Sequence, residues 1–318
     1  MIEIFKLKNI GKLFPIIGII IFIYIINDIG IEKISFVFSS IPLIYFLLAF
    51  LLFIPRWLLS SYKWFYISKK QKMDLKLFFL SKIFLITLFL GSITPGSIGL
   101  HLRIYYLKKK SKASLEKCLT NSLIESGSAL IAGLFIAFIG SILLIEYSPE
   151  LPIIILPFLI FYLSVFIVLI KKGRGSKLFN ILIRPFIPER YKENIDKSIE
   201  SLYQDIPNLK DMLLPFLIEI IVWVLAAIQV YIIAQAFTIN ISFFEFILIS
   251  IISVVISNIL PISIGGLGIR EGTFVFLLSK FGVQSEIAFV ISISGFLVKI
   301  LIPGLIGVLI SFRKKFIQ

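Results

Sequence analysis

Apolar residues run through this chain in blocks near membrane length, separated by short stretches where lysine and arginine collect. A helix needs about 20 apolar residues to cross the hydrocarbon core. Eight segments approach that length: 13–28, 42–67, 75–94, 115–145, 151–170, 212–239, 243–260 and 285–311. Two of them end alike. Thr94-Pro95-Gly96-Ser97-Ile98-Gly99-Leu100-His101-Leu102-Arg103 follows the third segment, and Pro261-Ile262-Ser263-Ile264-Gly265-Gly266-Leu267-Gly268-Ile269-Arg270-Glu271 follows the seventh. Backbone in contact with lipid must satisfy its hydrogen bonds internally, so a Pro/Gly break at membrane depth needs protein or a wet cavity around it. Paired breaks in the two halves of a chain point to the binding site of a transporter.

The basic clusters decide how the segments are threaded, because cytoplasmic loops carry the excess of lysine and arginine. The N-terminus (Lys6, Lys8, Lys12), the end of the second segment (Lys63, Lys69, Lys70, Lys72) and the cluster Lys108-Lys109-Lys110-Ser111-Lys112 after the third are all basic. Two successive basic ends predict that 75–107 enters from the cytoplasm, turns at Pro95-Gly96 and returns. Segments four and five lead out past Glu146 and Glu150 and back to Lys171-Lys172-Gly173-Arg174, which puts the loop 171–211 inside. Segment six leads out to the nearly uncharged turn 238–242, and 243–280 forms a second hairpin from the outer side. The last segment returns to Arg313-Lys314-Lys315. The expected fold is an all-α polytopic membrane protein with six full crossings, two re-entrant hairpins facing opposite ways and both termini cytoplasmic. Eight plain crossings also place both termini inside, but they leave the cluster 108–112 outside, against the charge bias.

This threading is an inverted repeat within one membrane domain, 1–318, with pseudo-repeats 1–147 and 148–318. Trp57, Phe78-Phe79, Pro95 and Arg103 occur in the same order as Trp223, Phe243-Phe244, Pro261 and Arg270, with successive gaps that agree to within one residue. An odd number of crossings separates the hairpins, as inversion requires. Within the loop 171–211, the stretch 190–206 is amphipathic. Tyr191, Ile195, Ile199, Leu202 and Ile206 recur at helical spacing among Lys192, Glu193, Asp196, Lys197, Glu200 and Asp205. This predicts a helix in the headgroup plane on the cytoplasmic side.

Composition narrows the function classes. Of 318 residues, 58% are hydrophobic and 16% charged, and a mean hydropathy of +1.03 excludes a soluble globular chain. There is no room for a second, catalytic domain. The net charge of +14 sits in loop clusters, so its natural partner is anionic headgroups rather than nucleic acid. The lone cysteine, Cys118, and lone histidine, His101, offer neither a disulfide nor a metal cage. No cofactor is expected. The first apolar segment lacks a small-residue cleavage site and reads as a retained helix.

Charges at membrane depth need a reason. Arg103 and Arg270 each lie on the returning arm of a hairpin, whose half-helix N-terminus carries a positive dipole end near the midplane. Glycine lets backbone approach a ligand closely. Pro95, Gly96, Gly99, Arg103, Gly265, Gly266, Gly268, Arg270 and Glu271 are therefore the candidate site for an anion, most simply a phosphate. Glu271 either holds Arg270 in place or faces a cationic group. His101, Glu125, Glu219 and Lys299 are candidate charge partners, His101 more as a hydrogen-bonded structural histidine than as a proton carrier. Lys82 and Arg56 are placed to snorkel. None of these groups forms the nucleophile–base set of an enzyme.

At these residues the chain resembles the flippase-like membrane family related to the transmembrane region of lysylphosphatidylglycerol synthase, also called multiple peptide resistance factor. The resemblance covers nearly the whole chain. Pro-Gly-x-x-Gly-x-x-x-Arg is matched by Pro95, Gly96, Gly99 and Arg103, and Gly-Gly-Leu-Gly-x-Arg-Glu-Gly by Gly265, Gly266, Leu267, Gly268, Arg270, Glu271 and Gly272. The chain departs from the family at Leu100, where Glu is usual, and at Glu125-Ser126, where Glu-Arg is frequent.

The resemblance implies translocation of a phosphate-bearing lipid, aminoacyl-phosphatidylglycerol-like or isoprenoid-phosphate-linked. Since no synthase follows Gln318, aminoacyl transfer is not expected. The alternative is a non-transporting subunit that binds lipid and presents it to a partner synthase or glycosyltransferase. The expected partners are a lipid with an anionic headgroup, such an enzyme, or a second copy of the chain. The expected location is a prokaryotic cell membrane.

Overall fold

The computed structural model describes residues 17–94, 97–171, 196, 200–203, 205–259 and 263–312. Pro95, Gly96, Pro261 and most of the 190–206 stretch lie outside the described residues, so the amphipathic helix expected there does too. No strand occurs among the described residues. The helices are α1 (Ile17–Ile29), α2 (Ile31–Ser39), α3 (Leu43–Leu51), α4 (Phe53–Lys70), α5 (Leu77–Ser92), α6 (Arg103–Ser111), α7 (Leu115–Leu143), α8 (Glu150–Ile170), α9 (Leu213–Ala234), α10 (Phe243–Ile259), α11 (Ile269–Ser279), α12 (Ser285–Phe296) and α13 (Ile302–Ser311).

Five stretches are long and apolar enough to cross a membrane: Leu43–Lys70, Leu115–Leu143, Glu150–Ile170, Leu209–Ala234 and Ser285–Ser311. The protein is an integral membrane protein. Helices α1, α5 and α10 are apolar but shorter. With 16 residues in α5 and 17 in α10, each rises about 25 Å, less than the roughly 30 Å of a hydrocarbon core. After each break the chain packs back on the arm that led in. The 3₁₀ turn Ile98–Leu102 lies against α5, and α11 lies against α10. Phe78-Phe79 and Phe243-Phe244 open α5 and α10, and Arg103 and Arg270 open α6 and α11.

Two apolar segments that read as continuous are interrupted, and proline is the cause in both. Pro55 has no N–H to return to Leu51, and α3 gives way to α4 at Leu52. Pro303 likewise cannot reach the carbonyl of Lys299, and a π-helical turn, Leu297–Leu301, separates α12 from α13. Arg56 Nη2 donates to that freed Lys299 carbonyl. A broken helix thus finds its missing donor in a side chain from the other half. The sequence pattern also gave no sign of α2, whose nine residues include none that is buried.

The halves interlock. Helix α4 packs on α9, α5 on α13, and α10 on α7. Small residues set the closest approaches. A Cβ on Gly304 would stand 2.9 Å from Phe89 Cα, and one on Gly307 would stand 2.6 Å from the Leu85 carbonyl carbon. The largest apolar core lies among α7–α12, with Phe246, Ile155 and Leu134 at its centre.

Asp205 and Asp211 strap their segment to the bundle by charge. Asp205 Oδ1 is 2.7 Å from Lys72 Nζ and its Oδ2 2.8 Å from Lys117 Nζ, while Asp211 is 2.7 Å from Lys70. The hydrogen bonds from Lys117 and Lys72 hold the Asp205 carboxyl below the usual aspartate range. A depressed folded-state pKa stabilises the strap at every pH above the unfolded value and loses it as pH falls through the folded one. Asp205→Asn should therefore raise amide hydrogen exchange at 200–206 at neutral pH. Acidification below about pH 4 should produce the same rise in the parent chain and a smaller one in the variant, where the Asp211–Lys70 pair is still left to titrate.

Candidate functional site

The charged side chains inside the bundle arise from polar stripes at helical spacing on otherwise apolar helices. Arg56, Ser60 and Lys63 fall at i, i+4 and i+7 on α4; Glu219 and Trp223 share a face of α9; Ser250 and Ser257 share one of α10. These faces, with α5, α7 and the π-turn, enclose a cavity of about 590 Å³. Five cations, Arg56, Lys63, Arg103, Arg270 and Lys299, line it against two carboxylates, Glu125 and Glu219. All seven are buried.

One side of the cavity is a closed ionic cluster. Lys63 Nζ lies 2.9 Å from Glu125 Oε1 and 2.7 Å from Glu219 Oε2. Glu125 Oε2 holds Arg103, whose Nε donates to the Leu100 carbonyl at 2.9 Å. The Arg103 guanidinium sits 5.1 Å from the Trp64 ring, and Trp64 is itself fixed by donating to Asn121 Oδ1 at 2.8 Å. Glu125 and Glu219 thus stand in contact with buried cations. Lys63 is a correction. The sequence pattern assigns it to a basic loop, but its side chain is 1% exposed, because it stands two turns inside α4 with carboxylates from α7 and α9 around it. The same stripe carries Arg56, which lines the cavity instead of reaching outward.

The other side is less balanced. Arg270 Nε donates to Glu271 Oε1 at 2.9 Å, Nη2 bonds to the same oxygen, and Nη1 donates to the Gly265 carbonyl at 3.1 Å. Its guanidinium lies 4.4 Å from the Phe296 ring, a cation–π arrangement like that of Arg103. Glu271 is fully buried and also accepts the Gly268 N–H at 2.7 Å, so it holds Arg270 in place. Among the described residues, no carboxylate lies within ion-pair distance of Lys299 or Arg56.

The glycines have distinct places. Gly265 (φ 59) touches α5, where a Cβ would come within 2.3 Å of the Ser92 carbonyl oxygen. The second break therefore rests on the end of α5 that leads into the first. Gly266 (φ 78) lines the cavity beside Ser257 and Arg270. Gly99 and Gly268 serve packing against Leu90 and Gly18. Several amides of the second break are already bonded: Gly268 to Glu271, Leu267 to the Ile264 carbonyl and Arg270 to the Gly266 carbonyl. His101 also lines the cavity, with Nδ1 2.9 Å from Ser122 Oγ. Pro95 and Gly96 are outside the described residues.

A helical membrane bundle whose two halves jointly enclose a charged internal site is the class that this fold defines. The family described as lysylphosphatidylglycerol synthase TM region matches residues 11–307, and the chain belongs to it. Over 303 residues the chain is also 22% identical to the UPF0104 membrane protein of Methanothermobacter thermautotrophicus, the match covering 89% of each.

Proposed function

We propose that this chain is a flippase-type transporter, not an enzyme, and that it carries a phosphate-bearing lipid between leaflets. The observation that carries this reading is the cavity, a partly open chamber of headgroup size built from both halves of a membrane bundle, whose charged lining is buried and predominantly cationic. Side chains supply its charge, since amides of the second break are engaged within the protein. In this reading 75–107 and 243–280 are re-entrant hairpins of an inverted repeat, entered from opposite sides, with both termini cytoplasmic. Support comes from the short α5 and α10, the chain reversal after each break, and the exchanged pairings of α5 with α13 and α10 with α7. The tryptophans are weaker support. Trp57 donates to Ser81 on α5, but Trp223 donates to Ala129 on α7, so the two do not occupy matching contacts.

Reconstitution into liposomes with a headgroup-labelled phospholipid, followed by a bilayer-impermeant quencher, tests transport. Faster equilibration of the label than in protein-free vesicles is expected. Tight lipid binding without translocation would instead indicate a subunit that presents lipid to a partner enzyme.

Topology has its own test. A cysteine at Lys110, an exposed position, should resist an impermeant thiol reagent applied to intact cells. The native Cys118 is buried and adds little background. Ready labelling from outside would establish eight plain crossings.

A further inference from the structure

The formal charges of the site do not cancel. Arg56, Lys63, Arg103, Arg270 and Lys299 face Glu125, Glu219 and Glu271, leaving an excess of two positive charges. Residues 95–96 and 260–262, at the two breaks, carry no charge and leave this excess as it is. The excess is also localised. Lys63 and Arg103 are matched by Glu125 and Glu219 in direct contact. Of Arg56, Arg270 and Lys299, only Arg270 has a carboxylate in direct contact among the described residues, Glu271, whose oxygens are engaged by Arg270 and by the Gly268 N–H, while Glu219 acts on Arg56 at longer range and already pairs with Lys63. Arg56 donates to the Lys299 backbone carbonyl, and Lys299 shares its surroundings with the like charges of Arg56 and Arg270 and the opposite charge of Glu271. Buried cations of this kind persist only when paired.

A second observation comes from the lining of the same cavity. Ser250 and Ser263 line it, both are 3% exposed, and neither hydroxyl has a hydrogen-bond partner among the described residues. Ser263 stands in the second break, two residues before the Gly265 carbonyl that binds Arg270. Buried hydroxyls are normally satisfied, and two left open in one cavity call for an acceptor from outside the protein.

We propose that Arg56, Arg270 and Lys299, with the Ser250 and Ser263 hydroxyls, bind a doubly charged phosphate: the phosphomonoester or diphosphate end of a lipid in preference to a phosphodiester. A phosphomonoester carries about −1.5 to −2 charges near pH 7 and so cancels the excess. A phosphodiester carries one negative charge and leaves a cation uncompensated. An aminoacylated phosphodiester adds an ammonium and fits worse still. Three oxygens on one phosphorus also match a site that offers guanidinium, ammonium and hydroxyl donors together. This rests on the reading of the cavity as a lipid site, but it fixes the headgroup chemistry that transport alone does not.

The test is native mass spectrometry of the full chain in detergent, titrated with dioleoyl phosphatidic acid, dioleoyl phosphatidylglycerol or sodium phosphate. Phosphatidic acid should bind at least tenfold more tightly than phosphatidylglycerol. Lys299→Gln and Arg56→Gln each remove one charge of the excess and should shrink that preference to threefold or less. Ser250→Ala, a milder change that keeps the fold if the cation variants do not, should weaken phosphatidic acid severalfold and phosphatidylglycerol less. Equal binding of the two lipids by the parent chain would overturn the doubly charged ligand while leaving lipid transport intact. Binding of sodium phosphate with neither lipid retained would support the phosphate chemistry of the pole and overturn its lipid source. A preference for phosphatidic acid that all three variants retain would overturn the assignment to this pole.

Discussion

Glu125→Gln should be the most destabilising single substitution in the molecule, costing about 3–5 kcal/mol, the usual loss when a buried ion pair is broken from one side. Each oxygen of Glu125 holds a different cation, Lys63 at 2.9 Å on Oε1 and Arg103 on Oε2, and the side chain is almost fully buried. Glutamine is nearly the same shape but is neutral and turns an NH₂ group toward one of the two cations. Glu219 then remains as the only contacting carboxylate for a buried lysine and arginine, and only Lys63 reaches it. The measurement is the thermal midpoint and monodisperse yield in detergent. Adding Arg103→Met should recover much of the loss, because it removes the orphaned cation and leaves Lys63 paired with Glu219. If Glu125→Gln melted like the parent, the cluster would be a geometric coincidence without energetic weight.

What the sequence made legible here depends on where each charge stood in its apolar run. Arg103, Glu125, Glu219, Arg270 and Lys299 interrupt hydrophobic stretches and attract notice singly, and all five line one cavity. Lys63 was hidden by its neighbours. It precedes Lys69, Lys70 and Lys72 at the end of a segment, and a loop reading absorbs it. The signal that separates it from them is periodic rather than compositional, since Arg56, Ser60 and Lys63 mark one face of α4 while Lys69 and Lys70 cap its end. Pro55 and Pro303 are visible in the sequence, but the apolar runs that hold them read as continuous spans. That the carbonyl released by Pro303 is met by Arg56 depends on two helices more than 200 residues apart in sequence, and no local pattern encodes such a contact. The same limit applies to the glycine breaks. Their composition shows that the chain must leave the helix there, while the resting of Gly265 on Ser92 follows only from the packing of the two halves.

Arg270→Gln should abolish lipid translocation while leaving a folded protein in the membrane. The contrast with Glu125 comes from geometry. Arg270 bonds the carboxylate beside it in sequence and a carbonyl of its own break, so its loss unpairs Glu271 and gives up the contact with the Phe296 ring on α12, but breaks no ion pair between helices. Glu271 keeps the Gly268 N–H, and the amide of the new side chain can donate to its other oxygen. Transport is more exposed to the change, because Arg270 lies where the second break meets the cavity and Gly266 leaves room for a ligand beside it. Removing one member of a desolvated charge pair typically costs about 2–5 kcal/mol, which corresponds to roughly a 30-fold to several-thousand-fold loss of affinity for the anionic group. Arg270→Lys should fall between parent and glutamine, since the charge stays but the fork that engages Glu271 and Gly265 together is lost. Arg103→Gln should reduce translocation less uniformly, its guanidinium being committed to Glu125 and the Leu100 carbonyl. The liposome quenching assay reads all three, with the thermal midpoint measured beside each. Unchanged translocation and lipid binding in folded Arg270→Gln and Arg103→Gln would mean that both arginines serve the architecture alone, and the charge that receives the headgroup would have to come from elsewhere in the cavity.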